Sequence, residues 1–220
     1  MSDLELPPEP GSLRLVATLT IAGLLAGLML AGAYAITLPT IEANAAAALR
    51  DAVFQVVPGT RAMQKLVLAG DHFVLADGKE AKDAVAVYAA YGDGGAFLGF
   101  AIPGQGPGFQ DTIKLLYGYD PARKVVVGLQ ILESRETPGL GDKIFKDPAF
   151  GREFTSLAVE PDIVVVKSGT GSAPHHVDGI SGATISSKAV VRILVTQNQH
   201  LLARLPTGDA VPKAPAQGSR

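Results

Sequence analysis

Apolar and polar residues alternate along this chain in three regimes. No charged residue stands between Arg14 and Glu42, and the positions between them are mostly Leu, Ala, Ile and Gly. About 20 such residues suffice to cross a bilayer as a helix, so residues 15–38 are expected to be a transmembrane segment. An Ala-rich stretch follows, with Asn44, Arg50, Asp51 and Gln55 among its polar positions, and it ends at Pro58-Gly59. It reads as a juxtamembrane helix or stalk over residues 39–58. Beyond it the pattern changes to short apolar runs broken by turn signals. Strands are expected at 65–69, 73–76, 84–91, 96–102, 112–119, 124–132 and 162–167, with a hairpin turn at Gly92-Asp93-Gly94-Gly95. A short helix is expected around Phe150 and Phe154. A terminal helix over 186–205 carries Val190, Leu194, Leu201 and Leu205 on one stripe, with Ser186 and Ser187 at its cap. The fold class is therefore α+β: one N-terminal membrane helix, then one α+β domain over residues 59–205. Residues 1–14 would precede the membrane, and 206–220, rich in Pro, Gly and Ala, would be a disordered tail.

Ala33-Tyr34-Ala35 resembles a signal-peptide cleavage site. The apolar run is longer than a signal core, however, and Asp3, Glu5 and Glu9 stand where a basic leader would be, so a retained anchor is expected. Gly23, Gly27 and Ala31 recur every fourth position, a spacing that lets a second helix pack closely.

Composition narrows the chemistry. The 220 residues are 47% hydrophobic and include no Cys. That excludes Cys-ligated iron–sulfur clusters, c-type haem and disulfides. Redox work on this chain would need an organic cofactor or a partner's metal. Net charge is −2, and acidic and basic residues balance after the membrane segment, which argues against nucleic-acid binding.

Four stretches invite a functional reading. Gly104-Gln-Gly106-Pro-Gly108-Phe109 lacks dinucleotide-loop spacing and reads as a turn-rich loop. Its bare backbone could approach a flat ring, and its Phe109 reads as an ordinary core aromatic. His175-His176-Val177-Asp178 has no well-spaced third ligand, so no metal site is expected. Glu136-Thr137-Pro138-Gly139-Leu140-Gly141 holds a tight turn, and Ser181-Gly182-Ala183-Thr184 is an uncrowded turn entering a helix.

Together, these last two motifs and their order resemble the G subunit of Rnf/Rsx-type ion-translocating electron transport complexes. The resemblance covers nearly the whole chain apart from its two ends. It implies a covalent FMN, esterified through its phosphate to the Thr184 hydroxyl within the Ser181, Gly182, Ala183 turn. It implies that Glu136, Thr137, Leu140 and Gly141 help wall the flavin, that Phe109 lies near its ring, and that Asp178 orients the loop or assists attachment. Members of the family often have His where Ser134 stands. The resemblance further implies a single-pass protein of a bacterial inner membrane with its FMN domain on the periplasmic side. It would relay electrons within a ferredoxin:NAD oxidoreductase complex without being a complete enzyme alone. Its partners would be the other subunits, the lipid bilayer and a flavin transferase during maturation. The C subunit of the sodium-pumping NADH:quinone reductase shares both motifs, and such a subunit or another membrane flavoprotein is the alternative within the redox class. A membrane-anchored binding domain without redox chemistry is the alternative of a different class.

Overall fold

The computed structural model describes residues 11–81 and 84–215. The expectations for residues 1–10 and 216–220 lie outside them. Helix α1 runs unbroken over Ser12–Val56, with Pro39 inside it. The anticipated boundary between membrane segment and stalk is therefore not a boundary in secondary structure. At 1.5 Å per residue such a helix is roughly 68 Å long, more than twice the hydrocarbon core of a bilayer. It is long and apolar enough to cross a membrane, and its most apolar window is unburied. Thr18, Thr20 and Thr37 turn their hydroxyls back onto carbonyls of the preceding turn, which hides these polar groups from an apolar medium.

From Leu49 onward the chain forms a compact unit. Its main sheet comprises β1 (Ala62–Ala69), β2 (His72–Leu75), β3 (Ala86–Tyr91), β4 (Phe97–Pro107), β5 (Thr112–Asp120), β6 (Val125–Glu133) and β7 (Leu157–Ala158). They lie side by side in the order β2-β1-β3-β4-β5-β6-β7, each pair antiparallel. Short helices α2 (Lys143–Lys146) and α3 (Pro148–Arg152) follow β6. A parallel pair, β8 (Val164–Val166) and β9 (His176–Asp178), precedes α4 (Thr184–Leu201).

Strand periodicity sorts the core into two layers. Ala89, Tyr91, Phe100, Ile102, Leu115 and Tyr117 face one way and pack with Val190, Ile193 and Leu194 of α4. The alternating residues Ala90, Ala101 and Leu116 face the other way and pack with Ala52, Val53 and Val56 at the end of α1. Gly118 and Gly128 stand opposite each other on β5 and β6, and a Cβ on either would run into the Val56 carbonyl. The paired glycines form the notch that receives the last turn of α1.

Two expectations need correction. Gly104-Gln-Gly106-Pro107 is not a turn but the second half of β4. Pro103 and Pro107 are tolerated there because β3 pairs only as far as Ala101, leaving the rest of β4 bonded on the β5 side alone. Gly104 and Gly106 serve the approach of α4, since a Cβ at either would press on Ile193. The second concerns the C-terminal segment. From Pro206 to Pro215 it lies on the domain, with Val211 and Ala214 against the core and the Tyr91 hydroxyl donating to the Pro212 carbonyl. A low-hydrophobicity composition concealed these few contacts.

Candidate functional site

The two motifs form two turns of one design. In Thr137-Pro138-Gly139-Leu140, the Leu140 amide donates to the Thr137 carbonyl (3.2 Å) and Gly139 has φ +76°. In Ile180-Ser181-Gly182-Ala183, the Ala183 amide donates to the Ile180 carbonyl (2.9 Å) and Gly182 has φ +84°. Each places glycine at the third turn position, where the left-handed backbone strains any residue with a side chain. The second turn leads directly into α4. The helix begins at Thr184, with Ala183 at the cap position and no side-chain cap, so Ser186 and Ser187 are first-turn residues rather than caps. Ser187 ties the turn to the helix instead: it accepts from the Ile180 amide (3.1 Å) and donates to the Ala183 carbonyl (3.0 Å).

Thr184 is exposed, and its hydroxyl makes no hydrogen bond among the described residues. It opens on a cavity of about 320 Å³ shared with Phe109, Thr137, Leu140 and Ile185. Phe109, Leu140 and Ile185 are 64%, 51% and 54% exposed, a rim of apolar side chains in water. Phe109 is thus not a core aromatic. The Thr137 hydroxyl, which donates to Gln110 Oε1 (3.1 Å), supplies polarity on the same wall. Gly182, Ala183, Gly141 and Ser186 complete the lining. An amphipathic flat ring matches such a cavity, apolar around its rim with few polar groups. The bare turn at Gly182 leaves the Thr184 hydroxyl uncrowded, so these residues fit FMN.

Glu136 lies behind this wall rather than on it. It is 5% exposed, and its Oε1 accepts from the amides of Phe109 (2.9 Å) and Gln110 (3.0 Å). Its Oε2 accepts a short hydrogen bond from the Ser186 hydroxyl. Burial pushes the carboxyl upward, but the donors Ser186, Gln110, Asp111 and Phe109 outweigh it and hold the pKa below the ordinary range. The Ser134 hydroxyl accepts from the Glu136 amide (3.3 Å).

Asp178 and Ser181 are not at the Thr184 cavity. They line a neighbouring one of about 540 Å³ with Lys143, Lys146 and Glu153. The Asp178 carboxylate accepts from the amides of Gly169 (3.0 Å) and Gly171 (2.8 Å), organising that loop. Lys143 Nζ lies 3.9 Å from where a Cβ of Gly182 would stand, so a cation borders the Gly182 turn. Among the described residues no group of three or more His, Asp or Glu could hold a metal. Gln110, Ile185, Ser186 and Lys143 were not anticipated from sequence as site residues. The signal for Ile185 and Ser186 was their place in the first turn after Thr184; Gln110 and Lys143 had none, because only tertiary folding brings them in.

Fold and site together define a flavin-binding domain, and the FMN-binding domain family matches residues 108–196. The chain is similar to the G subunit of the ion-translocating oxidoreductase complex of Haemophilus influenzae, 32% identical over 84% of this chain and 90% of that one. It is also similar to the G subunit of the proton-translocating ferredoxin:NAD(+) oxidoreductase complex of Clostridium ljungdahlii, 32% identical over 79% of this chain and 83% of the other. The crystal structure of the C subunit of the Na(+)-translocating NADH-quinone reductase from Parabacteroides distasonis shares the fold. Its TM-score is 0.55 at 24% identity, with 68% of this chain and 80% of that chain covered. The chain belongs to the family of G subunits of ion-translocating oxidoreductase complexes.

Proposed function

We propose that the chain carries FMN covalently, as a phosphoester on Thr184, and relays electrons between neighbouring subunits of a membrane-bound ion-translocating ferredoxin:NAD oxidoreductase complex. The observation that carries this reading is the Thr184 hydroxyl: exposed, free of hydrogen bonds among the described residues, on the first residue of a long helix, and opening on an apolar-rimmed cavity. Bound FMN supplies a redox centre that accepts and releases electrons; the protein holds and orients it. Phe109, Leu140 and Ile185 shield the ring from water, and Thr137 offers a hydroxyl to its polar edge. Gly182 and Ala183 keep the attachment hydroxyl accessible to a flavin transferase.

Residues 15–38 would span the inner membrane, 39–58 would form the stalk and 59–205 the FMN domain on the periplasmic side. In this reading the protein is one station in the electron path rather than a complete enzyme. The test is direct. The wild-type chain, coexpressed with a flavin transferase, should give a flavin-fluorescent band on a denaturing gel, and Thr184→Val should give none. Fluorescence retained by Thr184→Val would overturn the assignment.

A further inference from the structure

The geometry points to Glu136 as a positioning residue that fastens the Phe109 loop and the first turn of α4 to one another across the Thr184 cavity, rather than as a ligand of the flavin. This rests on the reading of that cavity as the flavin site. Three segments far apart in sequence meet on one carboxylate: the loop after β4 through the Phe109 and Gln110 amides, the turn after β6 through Glu136 itself, and α4 through Ser186. Thr137, next to Glu136, adds a second tie by donating to Gln110.

The backbone is built around this carboxylate. A Cβ at Gly108 would collide with Glu136 Oε1. A Cβ at Gly141 would lie 2.8 Å from both Glu136 Oε2 and Ser186 Oγ. Both glycines make room for the buried acid, Gly108 also for the Asp111 carbonyl, so the Gly-rich run before Phe109 gains a purpose beyond strand packing. The three donors engage both carboxylate oxygens, and the group is all but closed to solvent. What it controls is the rim: Phe109, its ring exposed, is held at the cavity by its backbone amide.

Two substitutions separate position from charge. Glutamine can accept from both amides through Oε1 and donate to Ser186 through Nε2, so Glu136→Gln preserves the connections; Glu136→Ala removes them. Hydrogen exchange is measured on the full-length chain in detergent, made without a flavin transferase, so that the result does not depend on flavin. Exchange at the Phe109 and Gln110 amides should rise about tenfold or more in Glu136→Ala, as befits loss of charge-assisted hydrogen bonds. Glu136→Gln should stay within about threefold of wild type, because neutral hydrogen bonds replace the charged ones. Ser186→Ala, which removes only the helix-side donor and leaves a folded loop, should give a smaller rise in the same direction.

The same variants, flavinylated, should show greater iodide quenching of flavin emission in Glu136→Ala and near wild-type quenching in Glu136→Gln. Wild-type exchange in both Glu136→Ala and Ser186→Ala overturns the positioning role. So does a Gln variant as loose as the Ala variant. Faster exchange with unchanged iodide access overturns the link to the ring. A wild-type chain that takes up no flavin overturns the flavin reading instead, while the exchange experiment still decides the role of Glu136 in the loop.

Discussion

At the scale of single residues, the Thr184 hydroxyl and the buried acid are opposites. Thr184 is exposed and unbonded among the described residues, as the proposed attachment requires, whereas Glu136 is enclosed and fully engaged. The acid makes a pH signature. Its folded pKa lies below its ordinary value of 4.5 because the Ser186 and backbone donors outweigh burial. A depressed carboxylate contributes stability that is fully present above the unfolded pKa and is lost as pH falls through the folded one. Wild type should therefore melt higher than Glu136→Gln at neutral pH, with the difference constant down to about pH 5 and shrinking below it. A melting difference that is flat from about pH 7 to about pH 3 would show that the charge contributes nothing. Gly182 is the other position where one atom matters. With φ +84°, Gly182→Ala strains the turn by about 1–2 kcal/mol. Lower flavin yield than wild type at equal expression, read by gel fluorescence, is the expected outcome.

At the scale of elements, the loop after β4, the turn after β6 and the start of α4 carry the site, and β4 and α4 are where sequence reading was least direct. The apolar runs at 84–91 and 96–102 announced strands, but that both their faces are covered is known only from the packing. The hairpin and the Val/Ile runs were legible for the same reason. Gly104 and Gly106 were misleading because glycine marks both turns and close approach. Only the position of Ile193 on α4 distinguishes the two uses. The start of α4 shifted from Ser186 to Thr184 because no side-chain cap marks it. Both motif turns were visible, since proline and glycine encode them locally, but the meeting of Glu136 with Ser186 and Phe109 depends on the whole sheet. The Gly118–Gly128 notch gives an element-scale prediction. Gly118→Ala would push a methyl group into the Val56 carbonyl, and overpacking of this kind costs about 1–3 kcal/mol. Its unfolding midpoint should drop, while Gly151→Ala, with open space around it, should leave stability within about 0.5 kcal/mol of wild type. Equal midpoints for the two variants would contradict the notch.

At the scale of the whole molecule, function depends on where the FMN domain sits relative to the bilayer. Helix α1 has the length and composition for a span, and family membership places the chain among membrane-associated complexes. Side is a separate matter: Arg14 precedes the apolar run, and Arg50 and Arg61 follow it, so basic residues vote weakly in either direction. The flavin reading breaks the tie. A covalent tether is of most use where free flavin is scarce and a lost cofactor is not replaced, which favours the periplasmic side. Alkaline phosphatase fused after Arg50 should then be active, and green fluorescent protein at the same point dark. On the same reading, a flavin transferase must reach the domain there. Confining that enzyme to the cytoplasm, by deleting its export signal, should leave the chain at normal abundance in the membrane but without gel fluorescence. A fluorescent chain in those cells, or a dark phosphatase fusion, would place the domain on the cytoplasmic side and require the electron path to be redrawn through that face.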